Sequence, residues 1–212
     1  MLNRLAVAAL ALALAAPAAM AQDAAAPAAP EILPDIARGS DDAPLTIVEY
    51  ASFTCGHCAN FHSENWPKLK AEYVDTGKVK FIQRDVYFDQ PGLWAGVLAR
   101  CGGDEKFYPV SDMLFDEQEA WLAGGTGEEI AANLRKIGLK AGMTEDQMTA
   151  CWDDTGKAQQ LIATFQQNAT ADGIEATPTF IIGGEKVQNQ PWDDMKAVID
   201  AKLAEATPAP AN

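Results

Sequence analysis

Leu45-Thr46-Ile47-Val48-Glu49-Tyr50-Ala51-Ser52-Phe53-Thr54-Cys55-Gly56-His57-Cys58 runs from a β-branched, apolar segment straight into a C-x-x-C. Leu45 to Tyr50 has the composition of a buried strand, and the cysteine pair opens a helix that continues through Phe61 and His62. A helix N-terminus concentrates positive potential and favours a thiolate over a thiol. His57, between the cysteines, adds a second group able to stabilise that charge. The pattern predicts a low-pKa, nucleophilic sulfur, the requirement for thiol–disulfide exchange.

Upstream, Met1 to Ala21 has the layout of a secretory leader. Arg4 supplies the positive end, Leu5 to Ala16 an unbroken apolar stretch, and Ala19-Met20-Ala21 a small-residue cleavage site before Gln22. The apolar stretch is shorter than the roughly 20 residues that a membrane span requires, and Pro17 interrupts its end. The expectation is an exported chain starting near Gln22, in an oxidising compartment. Residues 22–38, rich in Ala and Pro towards their start, read as a flexible lead-in.

The 212-residue chain has 30 Asp and Glu against 16 Lys and Arg, a formal net charge of −14. Loss of Arg4 makes it more acidic still. Nucleic acid and anionic lipid both reward basic patches, so neither is expected as a partner.

Downstream, Pro67 can open a second helical piece or kink the first, Lys68 to Thr76 reads as helix, and Gly77 stops it. Val79 to Val86 is a second strand. Strand–helix–strand order implies parallel pairing with a right-handed crossover. From Pro91 to about Asp172 four or five helices fit, with apolar stripes at Trp94, Leu98 and Cys101 and at Phe107, Val110, Leu114 and Phe115. Thr179 to Ile182, Gly183-Gly184 and Lys186-Val187 read as a hairpin, and Asp193 to Ala206 as a closing amphipathic helix. Residues 207–212 form a Pro/Ala tail expected to be disordered.

Cys101 and Cys151 both fall in predicted helical stretches. Even-numbered cysteines in an exported chain usually pair. A bridge would close a loop of about 50 residues, worth ~4 kcal/mol in the chain-entropy model. Two separate buried thiols are the alternative.

Cys55-Gly56-His57-Cys58 after a strand, Ala176-Thr177-Pro178-Thr179-Phe180 before a hairpin strand, and Glu49 six residues ahead of Cys55 together resemble the thioredoxin superfamily. With the leader and the helical insertion, the chain looks like the DsbA-like thiol:disulfide oxidoreductases of the bacterial periplasm. The resemblance covers roughly Ser40 to Ala206. It implies an α/β thioredoxin fold at 39–90 and 172–206 with a helical insertion at 91–171.

It also implies roles. Cys55 would be the nucleophile, Cys58 the resolving thiol, and Thr177 with a cis Pro178 the wall of the substrate groove. Glu49, an acid in an apolar strand, would accept the Cys58 proton through water. His62 stands where the family oxidase has another acid. Gly56 departs from the proline of the best-known periplasmic oxidase, and Gly-His resembles protein disulfide isomerase. By that analogy the potential lies nearer ~−180 mV than ~−120 mV.

The expected activity is introduction of disulfides into reduced exported proteins, by a monomer without cofactor that a membrane partner re-oxidises. Isomerase or reductase action is the alternative within the superfamily. The non-enzymatic alternative is zinc or copper binding through Cys55, Cys58 and His62. Gly102-Gly103-Asp104-Glu105-Lys106-Phe107 nearly spells a diguanylate cyclase signature. It joins two predicted helices, where that motif needs a hairpin, and is set aside. Trp66, Trp94, Trp121 and Trp152 are expected in the core.

Overall fold

A computed structural model describes residues 30–206. The expected leader at 1–21, the tail at 207–212 and residues 22–29 of the lead-in lie outside them. Five strands form one mixed sheet in the order β1-β3-β2-β4-β5. They are β1 Ala37–Arg38, β2 Leu45–Ala51, β3 Val79–Asp85, β4 Thr179–Ile182 and β5 Glu185–Gln188. β2 runs parallel to β3, from Leu45 opposite Val79 to Ala51 opposite Asp85, and antiparallel to β4. It has a neighbour on each edge and is buried throughout except at Thr46, as its continuous apolar composition requires.

Strand alternation divides β2 between two cores. Leu45, Ile47 and Ala51 face a large cluster that takes in Phe81, Phe180, Cys58 and Phe61. Val48 and Tyr50 face the other way, with Ile82, against Phe165, Ala169 and Ile174. By the same period Glu49 belongs to the face of Ile47 and Ala51. Helix α1 (Gly56–Glu64), which carries Cys58 and Phe61, packs there.

The chain crosses from β2 to β3 through α1, α2 (Trp66–Leu69) and a π-helical turn, Lys70–Val74. The expected continuous helix from Lys68 to Thr76 is thus replaced. Pro67 starts α2, the Asp75 N–H bonds back five residues to the Lys70 carbonyl at 2.8 Å, and Gly77 ends the run at φ +73°.

Six helices, not four or five, connect β3 to β4: α3 Gln90–Ala99, α4 Asp104–Asp116, α5 Gln118–Leu122, α6 Gly127–Lys140, α7 Glu145–Asp153 and α8 Thr155–Ala171. Their starts follow side-chain chemistry that apolar periodicity does not register. Asp89 and Asp154 cap α3 and α8, and Thr126 and Thr144 form capping boxes with Glu129 and Gln147. Cys101 lies just past α3, not within a helix, because Gly102 and Gly103 end that stretch. It is bonded to Cys151 on α7.

The Gly183-Gly184 turn has φ of +56° and +85°, as a two-residue hairpin requires. Helix α9 (Trp192–Ala206) follows and buries Met195 and Ile199. The end of the expected flexible lead-in is ordered. Ala37–Arg38 pairs antiparallel with β3, the Leu33 N–H donates to the Thr164 hydroxyl at 2.9 Å, and Asp35 pairs with Arg84 at 2.8 Å. A two-residue strand held by remote partners has no periodicity of its own to read. Trp66 and Trp121 are buried, and Trp94 and Trp152 pack against the core more openly.

Candidate active site

Cys55 is the N-cap of α1 and is partly exposed, whereas Cys58 lies in the first turn and is fully buried. The helix start brings the peptide N–H groups of His57 and Cys58 to the Cys55 sulfur. The Thr177 hydroxyl approaches from the opposite loop, and the Cys55 sulfur lies 3.5 Å from the Thr177 carbonyl oxygen. Hydrogen bonding from the Cys58 thiol lowers the Cys55 pKa most. Partial burial opposes it, and Thr177 and the two peptide N–H groups add to the lowering, bringing the thiol to about 5. The same sulfur–sulfur hydrogen bond pushes Cys58 far up, helped by burial and by the Glu49 charge. Charge therefore settles on the outer sulfur and the proton on the inner one. His57 reaches Cys55 through its backbone, and its side chain is exposed.

Glu49 is 0% exposed on the sheet face beneath α1. One carboxylate oxygen, Oε2, lies 3.0 Å from His62 Nε2. His62 follows Cys58 by four residues, so helical spacing sets both on one side of α1. Its ring stacks on Phe115 with centroids 3.9 Å apart and planes 14° from parallel. Phe53 and Phe61 are buried, packed on Phe115 and Phe180. They support the dithiol from behind, and Phe61 also borders a cavity toward Trp192.

The Thr177–Pro178 peptide bond is cis, and Pro178 is buried at the start of β4. Cys55, Cys58, Glu49, Thr177 and Pro178 thus meet where the first half of the chain rejoins the last. Cys101 and Cys151 belong elsewhere, bonded within the helical block. Among the described residues no three His, Cys, Asp or Glu side chains are grouped to hold a metal ion, and His62 Nε2 faces Glu49.

Two contributors were not legible in the sequence. Gln118, from α5, donates through Nε2 to the carbonyls of Phe53 at 2.8 Å and Cys55 at 3.1 Å. It ties the helical block to the dithiol loop, and a glutamine outside any motif carries no sign of that task. Asp89 accepts from the Thr54 hydroxyl at 2.8 Å while capping α3. The sequence Asp89-Gln90-Pro91 does mark a helix start, though not its second partner. Between α1 and the α4–α5 turn runs a groove of about 710 Å³, with Gly56, His57 and Asn60 facing Asp116 and Glu119.

Comparison with known proteins agrees with this geometry. Residues 31–201 match the family model described as Thioredoxin. A putative protein-disulfide oxidoreductase of Rickettsia bellii is 31% identical over 81% of this chain and 66% of its own length. Disulfide bond formation protein D of Bacillus subtilis is 27% identical over 78% of this chain and 75% of its own. The crystal structure of Wolbachia pipientis alpha-DsbA1 superposes with a TM-score of 0.74 at 26% identity, covering 84% of this chain and 94% of that one. The chain spans 61–66% of the length of the five rickettsial relatives it matches. Among the described residues no helix is long and apolar enough to cross a membrane.

Proposed function

The chain belongs to the thioredoxin family, with the fold of DsbA-type proteins, and on that footing we propose that it is a periplasmic thiol:disulfide oxidoreductase that donates its Cys55–Cys58 disulfide to reduced exported proteins. A substrate thiolate attacks the Cys55 sulfur, the Cys55–Cys58 bond breaks, and Cys58 leaves as a thiolate that takes up a proton. A second substrate thiol then displaces Cys55 from the mixed disulfide. The substrate departs oxidised and the enzyme carries two thiols, to be re-oxidised by a membrane partner.

The observation that carries this reading is the asymmetry of the two sulfurs. Donors converge on Cys55 and hold its thiol near 5, and they have no comparable charge to stabilise once the disulfide forms. Stabilising the reduced state alone makes the disulfide oxidising. Buried Cys58 returns to its protonated form, with Glu49 beneath it as the proton donor and acceptor. The Thr177–Pro178 segment, beside Cys55, offers backbone to an extended substrate strand. The bonded Cys101–Cys151 pair and the leader-like residues 1–21 support an oxidising, exported setting.

Gly56-His57 keeps an isomerase or reductase role as the second reading, because that pair resembles protein disulfide isomerase. Equilibration of the Cys55/Cys58 couple with glutathione separates oxidase from reductase, and refolding of a substrate with scrambled disulfides by the reduced enzyme separates oxidase from isomerase. A potential near or above ~−180 mV, with oxidation of a reduced dithiol peptide, fits the oxidase. A potential near the thioredoxin value of ~−270 mV would overturn it in favour of a reductase.

A further inference from the structure

Glu49 and His62 form a buried carboxylate–imidazole couple whose outer atoms are both unspent. Glu49 Oε2 is engaged with His62 Nε2 at 3.0 Å, while Glu49 Oε1 and His62 Nδ1 are buried without a hydrogen-bond partner. A lone carboxylate inside an apolar sheet face is costly, and a single hydrogen bond offsets only part of that cost. Such a pair is retained more readily as a working device than as a source of stability.

We propose that His62 is a positioning residue for proton transfer at Cys58: it fixes Glu49 through Oε2 and leaves Oε1 as the atom that exchanges the proton. The inference rests on the dithiol–disulfide reading above and adds a partner to it. Geometry supplies the reasons. Cys58 and His62 are four residues apart on α1, so both side chains meet the sheet face that carries Glu49. The His62 ring is clamped, stacked on Phe115 and edge-on to Phe61 at 5.6 Å. Turning Nε2 away from Glu49 would need that packing to open, so the ring acts as a fixed stop.

In the step itself Cys58 attacks the Cys55 sulfur of a mixed disulfide. The Cys58 S–H bond breaks and its proton passes to Glu49 Oε1. The sulfur electron pair forms the Cys55–Cys58 bond, and the partner sulfur leaves as a thiolate. The reverse direction returns the proton to Cys58.

The titratable and charged surroundings are few. Cys58 lies on α1, Gln83 stands opposite Glu49 on β3 with Asp85 beyond it, and Tyr108 and Asp116 lie on α4. Phe180 is the Glu49 neighbour on β4. Tyr108 lies within reach of the Glu49 charge, and Asp116 is a neighbour of His62.

The test loads Cys55 with a chromogenic aromatic thiol as a mixed disulfide and follows its release by Cys58 from pH 5 to pH 9, in the wild type and in His62→Leu, His62→Gln, Glu49→Gln and the double variant His62→Leu/Glu49→Gln. His62→Leu is expected to slow release by roughly ten- to a hundredfold, the range for a misplaced proton-transfer group. It should change Cys55 alkylation far less. His62→Gln, which keeps a donor, should restore most of the rate near neutral pH but alter the pH profile. Adding His62→Leu to Glu49→Gln should cost nothing further. Additive losses, equal damage to Cys55 alkylation, or an unchanged rate in His62→Leu would each overturn the proposal. If the wild type itself failed to release the thiol, the dithiol reading would fall first.

Discussion

Two cysteine pairs sit in one chain and do opposite things. Cys55 and Cys58 lie at a helix start, three residues apart, with the outer sulfur reachable and the inner one buried. Cys101 and Cys151 are 50 residues apart, on a turn and the last part of a helix, and are already bonded. What separates them is what surrounds the sulfur. Around Cys55 the fold aims N–H groups, a hydroxyl and a thiol at a charge that exists only in the reduced state. Cys101 and Cys151 lie where α3 and α7 pack together, and their sulfurs are joined. The same covalent bond is reactive where its broken form is stabilised, and structural where its broken form is not.

The largest test removes the reactive pair. Cys55→Ala should abolish oxidation of a reduced dithiol peptide, by at least ~10³-fold. Cys58→Ala should accumulate a mixed disulfide at Cys55, visible by intact mass. An equal accumulation on Cys58 in Cys55→Ala would erase the asymmetry between the two sulfurs.

Removing the other pair should strike stability and spare chemistry. Cys101→Ala with Cys151→Ala should lower the unfolding free energy by ~4 kcal/mol and the melting temperature by roughly 10 °C. The rate at which iodoacetamide labels Cys55 should stay within about twofold, since no part of the Cys101–Cys151 bridge touches its donors. A collapse of that labelling rate in a folded variant would show the two pairs to be coupled.

A pH series sharpens the contrast further. Cys55 drops from an ordinary thiol value of 9.0 to about 5 in the fold, so between those values the folded reduced protein binds fewer protons than the unfolded one. Its stabilising effect is complete above about pH 9, shrinks as pH falls, and is gone below about pH 5. Cys58, shifted up, subtracts only in the alkaline range. The oxidised protein has neither term. Reduced-minus-oxidised melting temperature should therefore rise from pH 4 to pH 8, and a flat difference would contradict the thiolate assignment. The bond at Cys101–Cys151 should show no such dependence.

Smaller effects mark how the regions communicate. Gln118→Leu removes two hydrogen bonds to the Phe53 and Cys55 carbonyls; the Cys55 carbonyl keeps the Cys58 and Ala59 N–H groups, and urea unfolding should register roughly 1–3 kcal/mol, the cost of leaving the buried Phe53 carbonyl unmet. Smallest is His57→Ala. Its peptide N–H, which the substitution keeps, is what reaches Cys55. Thiolate absorbance should therefore shift less in His57→Ala than in Thr177→Val, which deletes a hydroxyl donor. The reverse order would return the imidazole to the role that its place in the sequence suggests.

That last case marks the limit of legibility. The C-x-x-C after a strand and the acid Glu49 in an apolar strand stand out in the residues themselves, whereas Thr177-Pro178 is legible only through the resemblance to the thioredoxin superfamily. The imidazole of His57 sits between the cysteines in sequence, but a helix start turns it outward. Contacts that cross the chain leave no local mark: Gln118 on the dithiol loop, Asp89 on Thr54, and Glu49 on His62. Element boundaries were lost for a similar reason. Cap side chains set the helix starts, and β1 exists only because β3 presents an open edge to it.

The topology also bears on the order of assembly. The loop closed by Cys101 and Cys151 lies wholly inside the connection between β3 and β4, whereas Thr177 follows Cys55 by 122 residues. Closing the shorter loop carries the lower entropic cost, and nothing in it waits for the C-terminal hairpin. As the chain emerges N-terminus first, the helical block can pack and lock its own sulfurs while β2 still lacks its β4 neighbour. Cys55 can meet Thr177 only once the C-terminal hairpin has joined the sheet, so the topology allows the other two cysteines to be bonded before the reactive centre is complete.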